Sequence, residues 1–210
     1  MCIRDRLYQY ILDNYPDSEY LIWAKAGIIQ SDIALDNDPN VAEELDELIS
    51  EFAFNPDLPD AILETGLAYY TKARYRALEG DNESEKAFYR DAISIYEKVI
   101  AEFGGSDFTG SAYFRAGVLY AQELGEYQKG IDYFQAVVDY QPDYAFACAA
   151  QYLVGKYYEK LRDTGVIERL EANVMIKEAY QAVVENWPDC DWANSAQLKL
   201  DRIAFEEANQ

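Results

Sequence analysis

Among the residues of this sequence, the acidic side chains come closest to the spacing of a metal-binding or catalytic site. Four oxygen-bearing residues fall at the ligand positions of a calcium-binding loop: Asp36, Asp38, Asn40 and Glu47. The position that needs glycine for the sharp turn of such a loop holds Val41. Adjacent carboxylates such as Glu206 and Glu207 point apart on a helix, so nothing orients them for acid–base work. The sequence therefore predicts no metal site and no paired-carboxylate catalysis.

Histidine and cysteine usage also argues against an enzyme. The chain has no histidine, which removes the commonest general base and the commonest metal ligand. Its three cysteines are Cys2, Cys148 and Cys190, and an odd count without a CxxC spacing argues against a disulfide framework or a zinc site. Cys148 is expected to act as a small buried residue. No GxSxG, P-loop or GxGxxG motif occurs. We expect no catalytic residue, no cofactor and no metal.

The charge balance excludes two classes of partner. The formal net charge is −21, and the 18 Lys and Arg residues are scattered along the chain. Nucleic acids and anionic membrane surfaces both require clustered cations, so neither is expected as a partner. No uncharged apolar run reaches about 18 residues, so no direct membrane insertion is expected. The acidity serves either solubility or the attraction of a basic partner.

A repeat organises the chain. Five residues end the second helix of successive units: Pro16, Ala53, Gly104, Pro142 and Pro188. Eight residues after each of them stands an alanine: Ala24, Ala61, Ala112, Ala150 and Ala196. Thirteen residues after them stand Ile29, Gly66, Gly117, Gly155 and Asp201, and eight before them stand Tyr8, Leu45, Tyr96, Phe134 and Tyr180. Residues at the same distance from the five anchors form a column of the repeat. Several columns that share one register indicate a repeat rather than chance.

The columns predict an all-α fold built from helical hairpins. Small residues at fixed positions let the two helices of a hairpin approach closely, and the aromatic column fills the adjoining space. Stacking the next hairpin buries the apolar face that each hairpin leaves exposed. We expect a right-handed α-solenoid of about four hairpins with half units at both ends, forming a single domain over residues 7–208. Residues 1–6 depart from the register and are interpreted as a foreign leader or a frayed end.

The expected helices follow from the apolar periodicity and the turn residues. They are 7–14, 18–36, 39–53, 58–79, 83–103, 109–124, 126–140, 144–162, 166–187 and 191–207. Asp38 is expected to cap the third helix, with Pro39 in its first turn. The second hairpin, which turns near Gly80, Asp81 and Asn82, is longer than its neighbours and should project beyond them.

The segment Ser111–Pro142 resembles a tetratricopeptide (TPR) hairpin. Its small, aromatic and helix-breaking residues stand where such a hairpin has them: Ala112, Gly117, Tyr120, Gly130, Phe134 and Pro142. The resemblance extends over residues 8–207. The long spacing and the YPDS sequence from Tyr15 to Ser18 are similar to a bacterial envelope subgroup, which includes the Tol-Pal system coordinator and the outer-membrane β-barrel assembly lipoprotein. The resemblance to TPR proteins in general implies a non-catalytic scaffold that holds a peptide or protein surface in a concave groove.

The resemblance implies a set of groove residues. They are Trp23, Asp60, Leu63, Leu67, Tyr70, Phe114, Val118, Gln122, Tyr152, Lys156 and Glu159. Lys156 is the single cation in the columns where carboxylate-clamping TPR domains carry Lys, Arg and Asn, so a carboxylate clamp is not expected. The expected partner is a protein or peptide with apolar anchors and basic flanks.

Three alternatives stay open at the level of the sequence. The aromatic groove residues could instead pack between hairpins. The chain could be an oligomerisation module that self-associates through the long second hairpin or an open end of the solenoid. The compartment is not fixed, although the resemblance favours the periplasm or cell envelope.

Overall fold

The described part of the chain, in a computed structural model, comprises residues 3–36 and 40–208. These residues form ten α-helices and one π-helical turn, and they contain no strand. The helices are α1 (Ile3–Asn14), α2 (Leu21–Leu35), α3 (Val41–Glu51), α4 (Leu58–Glu79), α5 (Asn82–Glu102), α6 (Thr109–Val118), α7 (Tyr127–Tyr140), α8 (Ala147–Asp163), α9 (Arg169–Asn186) and α10 (Ala193–Ala208). The predicted all-α class and its hairpin organisation are confirmed.

The predicted helix starts differ from the observed ones by up to four residues. Helix α4 has the predicted bounds, whereas α2 and α8 each begin three residues later than expected. The anchor is followed by tight turns, in which Ser18 N donates to Tyr15 O and Ala147 N donates to Tyr144 O. Turn hydrogen bonds therefore hold residues that periodicity alone assigns to a helix. The predicted cap by Asp38 and Pro39 lies outside the described residues.

The N-terminal segment is helical from Ile3 onward. Asp5 is buried, and Arg4 donates a hydrogen bond from Nε to Ser31 Oγ at 2.9 Å. These contacts attach the start of α1 to α2. The interpretation of residues 1–6 as a foreign leader concerns their origin and stays a prediction.

The helices group into two compact units, Met1–Phe108 and Thr109–Gln210, which are described separately. The single domain over residues 7–208 stays a prediction. In the first unit, α4 and α5 have 22 and 21 residues, against 15 and 11 in α2 and α3. The long second hairpin is thus confirmed. Its tip has Gly80 in the left-handed region at φ 79°, and the Asp81 side chain accepts from Ser84 N at 3.1 Å.

The repeat columns lie in the cores of the units. All five column alanines are at most 1% exposed. A Cβ at Gly117 would stand 2.9 Å from the Phe134 ring, and a Cβ at Gly155 would stand 2.8 Å from the Tyr180 ring. The absent side chains therefore make room for aromatic rings of the partner helix, as the columns predict.

A π-helical turn at Leu119–Glu123 continues α6. Leu124 N donates to Leu119 O at 3.0 Å, and Glu126 N donates to Tyr120 O at 2.8 Å. These hydrogen bonds span more residues than the hydrogen bonds of an α-helix do. The sequence predicts a regular helix through residue 124. Periodicity does not reveal one extra residue in a single turn, because the apolar pattern continues through it.

A disulfide joins Cys148 in α8 to Cys190 in the turn before α10. The prediction against a disulfide is wrong, whereas the predicted burial of Cys148 is confirmed. The bonded residues are 42 apart, with Cα atoms separated by 6.7 Å. Each follows a repeat anchor by a few residues, and successive repeats stack, so the helix start and the next turn become neighbours.

Candidate protein-binding site

The first unit holds five of the predicted groove residues on α2 and α4: Trp23, Asp60, Leu63, Leu67 and Tyr70. Leu63 is 1% exposed and is part of the core, whereas Leu67 is 37% exposed. Trp23, Asp60 and Tyr70 are half-buried, and Tyr70 contacts Tyr89 with ring centroids 5.9 Å apart. The surface offered by this unit is therefore centred on Leu67.

A cavity of about 520 Å³ adjoins Leu67. Tyr75 is among its lining residues, and so are three cations, Arg4, Lys72 and Arg76. Acidic side chains also line it, so the cavity is mixed in charge. It can accommodate a side chain of a partner that combines apolar contact with hydrogen bonding.

Asp36 forms ion pairs with two of the cations that line this cavity. Its carboxylate lies 2.5 Å from Lys72 Nζ and 2.7 Å from Arg76 Nη2. The hydrogen bond from Lys72 lowers the pKa of the Asp36 carboxyl below its ordinary value of 3.8. Asp36 adopts the left-handed backbone at φ 56°, where it ends α2. Repeat columns do not mark this bridge from α2 to α4, since it is specific to one hairpin.

The second unit holds the other six predicted residues on two helices. Phe114, Val118 and Gln122 follow one another along α6 and its π-helical turn, and Tyr152, Lys156 and Glu159 follow one another along α8. Gln122 is exposed, and the other five are half-buried. All six therefore keep some surface, unlike the alanines of the neighbouring column.

Tyr157 links the two rows of predicted residues. Burial raises the pKa of Tyr157, and a hydrogen bond with the Gln122 side chain acts in the opposite direction. Lys156 Nζ lies 5.5 Å from the centroid of the same ring. Gln122 and Lys156, predicted from different repeats, thus meet at one phenol.

Glu159 forms an ion pair with Lys199 of α10 at 2.7 Å. Both line a cavity of about 530 Å³ that also contains Arg162 and Arg202. The predicted groove residue is therefore engaged within the chain, and it orients a cation at the edge of this cavity.

Two ring stacks cover predicted groove residues and were not expected from the columns. Phe146 stacks on Phe114 with centroids 5.3 Å apart, and Trp192 stacks on Tyr152 with centroids 4.6 Å apart. Both outer rings stand four residues after a repeat anchor. An aromatic recurs at that position in four of the five repeats: Tyr20, Phe108, Phe146 and Trp192. This additional aromatic column of the repeat would have identified Phe146 and Trp192 from the sequence.

The described residues contain no candidate metal site and no candidate membrane span. Over residues 3–36 and 40–208, no cluster of three or more acidic, cysteine or histidine side chains could hold a metal ion. None of the helices described in that range is long and apolar enough to cross a membrane. The aromatic, amide and ammonium groups of the predicted set are suited to holding a polypeptide.

Comparison with known proteins gives one result for part of the chain. No curated protein matches it. Residues 111–144, which cover α6, its π-helical turn and α7, match the family model described as tetratricopeptide repeat, and this match supports the TPR superfamily.

Proposed function

We propose that the chain is a non-enzymatic scaffold that holds a peptide or a protein surface on the groove-facing sides of its first helices. The observation that supports this proposal best is the partial exposure of six predicted residues along α6 and α8. They combine aromatic, apolar, amide and charged groups, and three of them, Phe114, Val118 and Gln122, lie in the segment that matches the TPR model. Such mixed surfaces are typical of protein interfaces.

The charge distribution favours a partner with basic flanks. The net charge is −21, and many of the 18 cations are already held by carboxylates of the chain, as Lys72, Lys98 and Lys199 are. A basic segment would approach faster because the long-range field attracts it.

The disulfide supports a cell-envelope or other extracytoplasmic location. Disulfides persist in oxidising compartments such as the bacterial periplasm and are rare in the cytosol. The bond between Cys148 and Cys190 therefore agrees with the resemblance to bacterial envelope TPR proteins.

The test is capture of the partner from the native organism, followed by titration against variants of the α6 and α8 surface. Val118→Ala and Lys156→Ala should weaken binding because both side chains are half-buried at that surface. Val174→Ala is the matched control, since Val174 is 56% exposed on α9, a second helix. Equal affinity of all three variants and the unmodified chain would exclude this surface.

The long second hairpin favours a second candidate, self-association. Tyr75 and Leu78 on α4 are 64% and 84% exposed and lie three residues apart on one helix. Exposed apolar side chains at this spacing can form a helix–helix contact. Light scattering over a range of concentrations tests it: a mass that rises in the unmodified chain and not in Leu78→Ser supports this candidate, and a constant monomer mass excludes it.

A further inference from the structure

Two loops of the second unit form one continuous edge, called here the loop edge and consisting of residues 142–146 and 188–192. The Trp187 indole, directly before the second loop, donates from Nε1 to Pro142 O at 3.3 Å. Cys190 of the second loop is bonded to Cys148, two residues after the first loop. The two loops are therefore fastened side by side by a hydrogen bond and a covalent bond.

Each loop ends in an aromatic residue that stacks on an inner ring and is partly exposed. The ring of Phe146 stacks on Phe114, and the ring of Trp192 stacks on Tyr152. Phe146 also has an edge-on contact with Tyr144, with centroids 5.6 Å apart. The two outer residues remain 52% and 41% exposed, so two partly exposed aromatic side chains lie one repeat apart.

The charge around these rings has one sign. Asp143, Asp189 and Asp191 are exposed, and none of them forms an ion pair within the described part of the chain. No Lys or Arg occurs between Lys129 and Lys156, or between Lys177 and Lys199. The loops therefore contribute carboxylates and aromatic rings, and their own stretches of sequence contribute no cation.

Rings elsewhere in this chain are already engaged by cations. Lys72 Nζ stands 4.4 Å from the Phe88 centroid, and Lys129 Nζ stands 4.9 Å from the Tyr120 centroid. For Phe146 and Trp192, no such cation is found among the residues that the structure describes. An exposed ring face next to unpaired carboxylates attracts a guanidinium or ammonium group through both the ring quadrupole and the charges.

We propose that the loop edge is a docking surface for a basic polypeptide segment, whose Arg or Lys side chains lie over Phe146 and Trp192 while Asp143, Asp189 and Asp191 bind its charge. The proposal rests on the protein-binding function proposed above and adds a second surface to it. Arginine fits better than lysine, because its planar guanidinium can stack on a ring and donate to a carboxylate at once.

The experiment uses hexaarginine and hexalysine peptides as probes, titrated by calorimetry against the full chain. Phe146→Leu and Trp192→Leu keep the net charge and remove an aromatic face. Each should weaken hexaarginine binding by about two- to fivefold, the range expected for an exposed cation–π contact. Phe54→Leu is the matched control, because Phe54 is fully exposed in the first unit and should not affect binding. Hexaarginine should bind more tightly than hexalysine.

A charge comparison separates the loop edge from general attraction to an acidic protein. Two double variants are compared. Hexaarginine binding should be weakened more by Asp189→Asn/Asp191→Asn than by Glu43→Gln/Glu47→Gln, although the second double variant removes the same charge from exposed positions on α3. Equal losses in both pairs, or hexaarginine binding that is unchanged in both leucine variants, would overturn the proposal. Self-association that blocks peptide binding would also overturn the proposal, because the loop edge would then bind a second copy of the chain.

Two further variants keep the test decisive if a leucine variant loses helix content. Phe146→Tyr and Trp192→Phe retain a ring, so they should fold and keep most of the affinity for hexaarginine. A folded ring-retaining variant that has lost this affinity counts against the proposal. The synthetic peptides do not require the native partner, so this test of the loop edge can be read whether or not the groove proposal holds.

Discussion

The indole of Trp192 stacks on the phenol of Tyr152, with ring centroids 4.6 Å apart and planes inclined by 30°. Tyr152 also contacts Tyr180, with ring centroids 5.3 Å apart. One helical turn before Tyr152, Cys148 is bonded to Cys190 of the loop that carries Trp192. Stacking and a covalent bond thus fix the same loop to the same helix.

Reduction of the disulfide should destabilise the chain. The Cys148–Cys190 bond closes a segment of about 40 residues, and removing such a cross-link typically costs roughly 2–4 kcal/mol through the gain in entropy of the unfolded chain. Denaturant unfolding with and without dithiothreitol measures the difference. The double variant Cys148→Ser/Cys190→Ser is the control, and any comparable effect of the reductant on it would show that another process is responsible.

Ala150→Glu should be severely destabilising, by more than about 3 kcal/mol, because the larger side chain overpacks the core and buries an unpaired charge. Ala150 is fully buried in α8. Ala101→Glu, at an exposed position of α5, is the matched control and should change the free energy of unfolding little. Chemical denaturation followed by circular dichroism measures both. A variant at residue 150 as stable as the control would invalidate the alanine register.

Gly155→Ala should cost about 1–3 kcal/mol of unfolding free energy, since the new Cβ would stand 2.8 Å from the Tyr180 ring. That ring is fully buried, so it has little room to recede. A double-mutant cycle with Tyr180→Leu tests the cause. The cost of the alanine should fall in the leucine background, and an unchanged cost would place the strain elsewhere.

Asp36→Asn should lower stability at neutral pH by less than about 1 kcal/mol, because the Asp36 side chain that forms these ion pairs is 55% exposed to solvent. The hydrogen bond from Lys72 lowers the folded-state pKa of Asp36, so its contribution is present above the ordinary carboxyl value of 3.8. The contribution is lost as the pH falls through the lower folded-state value. Asparagine also tolerates the left-handed backbone, so backbone strain stays constant.

Unfolding at neutral and at strongly acidic pH measures this effect. The difference between Asp36→Asn and the unmodified chain should shrink at the acidic end. Asp17→Asn serves as the control, because Asp17 is exposed and forms no ion pair among the described residues. A difference that is independent of pH would mean that the ionic contacts do not stabilise the fold.

The sequence predicted those parts of the fold that recur. The alanine positions are buried, and Gly117 and Gly155 accept the rings of Phe134 and Tyr180, because every hairpin solves the same packing problem. Features that occur once were missed, such as the Asp36 bridge to Lys72. They depend on which side chains stacking brings together, and a repeat register does not contain that information.

In the candidate site, too, the sequence predicted the features that recur in the repeats and missed those that depend on contacts between repeats. The columns located residues on α6 and α8 that retain surface, but they did not show that Phe146 and Trp192 lie over two of them. The Cys148–Cys190 pair was missed for a related reason. Counting cysteines and examining short spacings reveals local motifs, whereas this pair is created by contact between successive repeats.

The hairpin tips explain how repeats of unequal length share one register. Gly80, Gly125 and Gly165 have left-handed φ values of 79°, 70° and 70°, and a Cβ at any of them would meet no atom within 4 Å. Residues inserted at such a tip would extend into open solvent without displacing a core side chain. The tips are therefore where the chain can gain or lose length, and they are suitable positions for grafting a peptide or attaching a label.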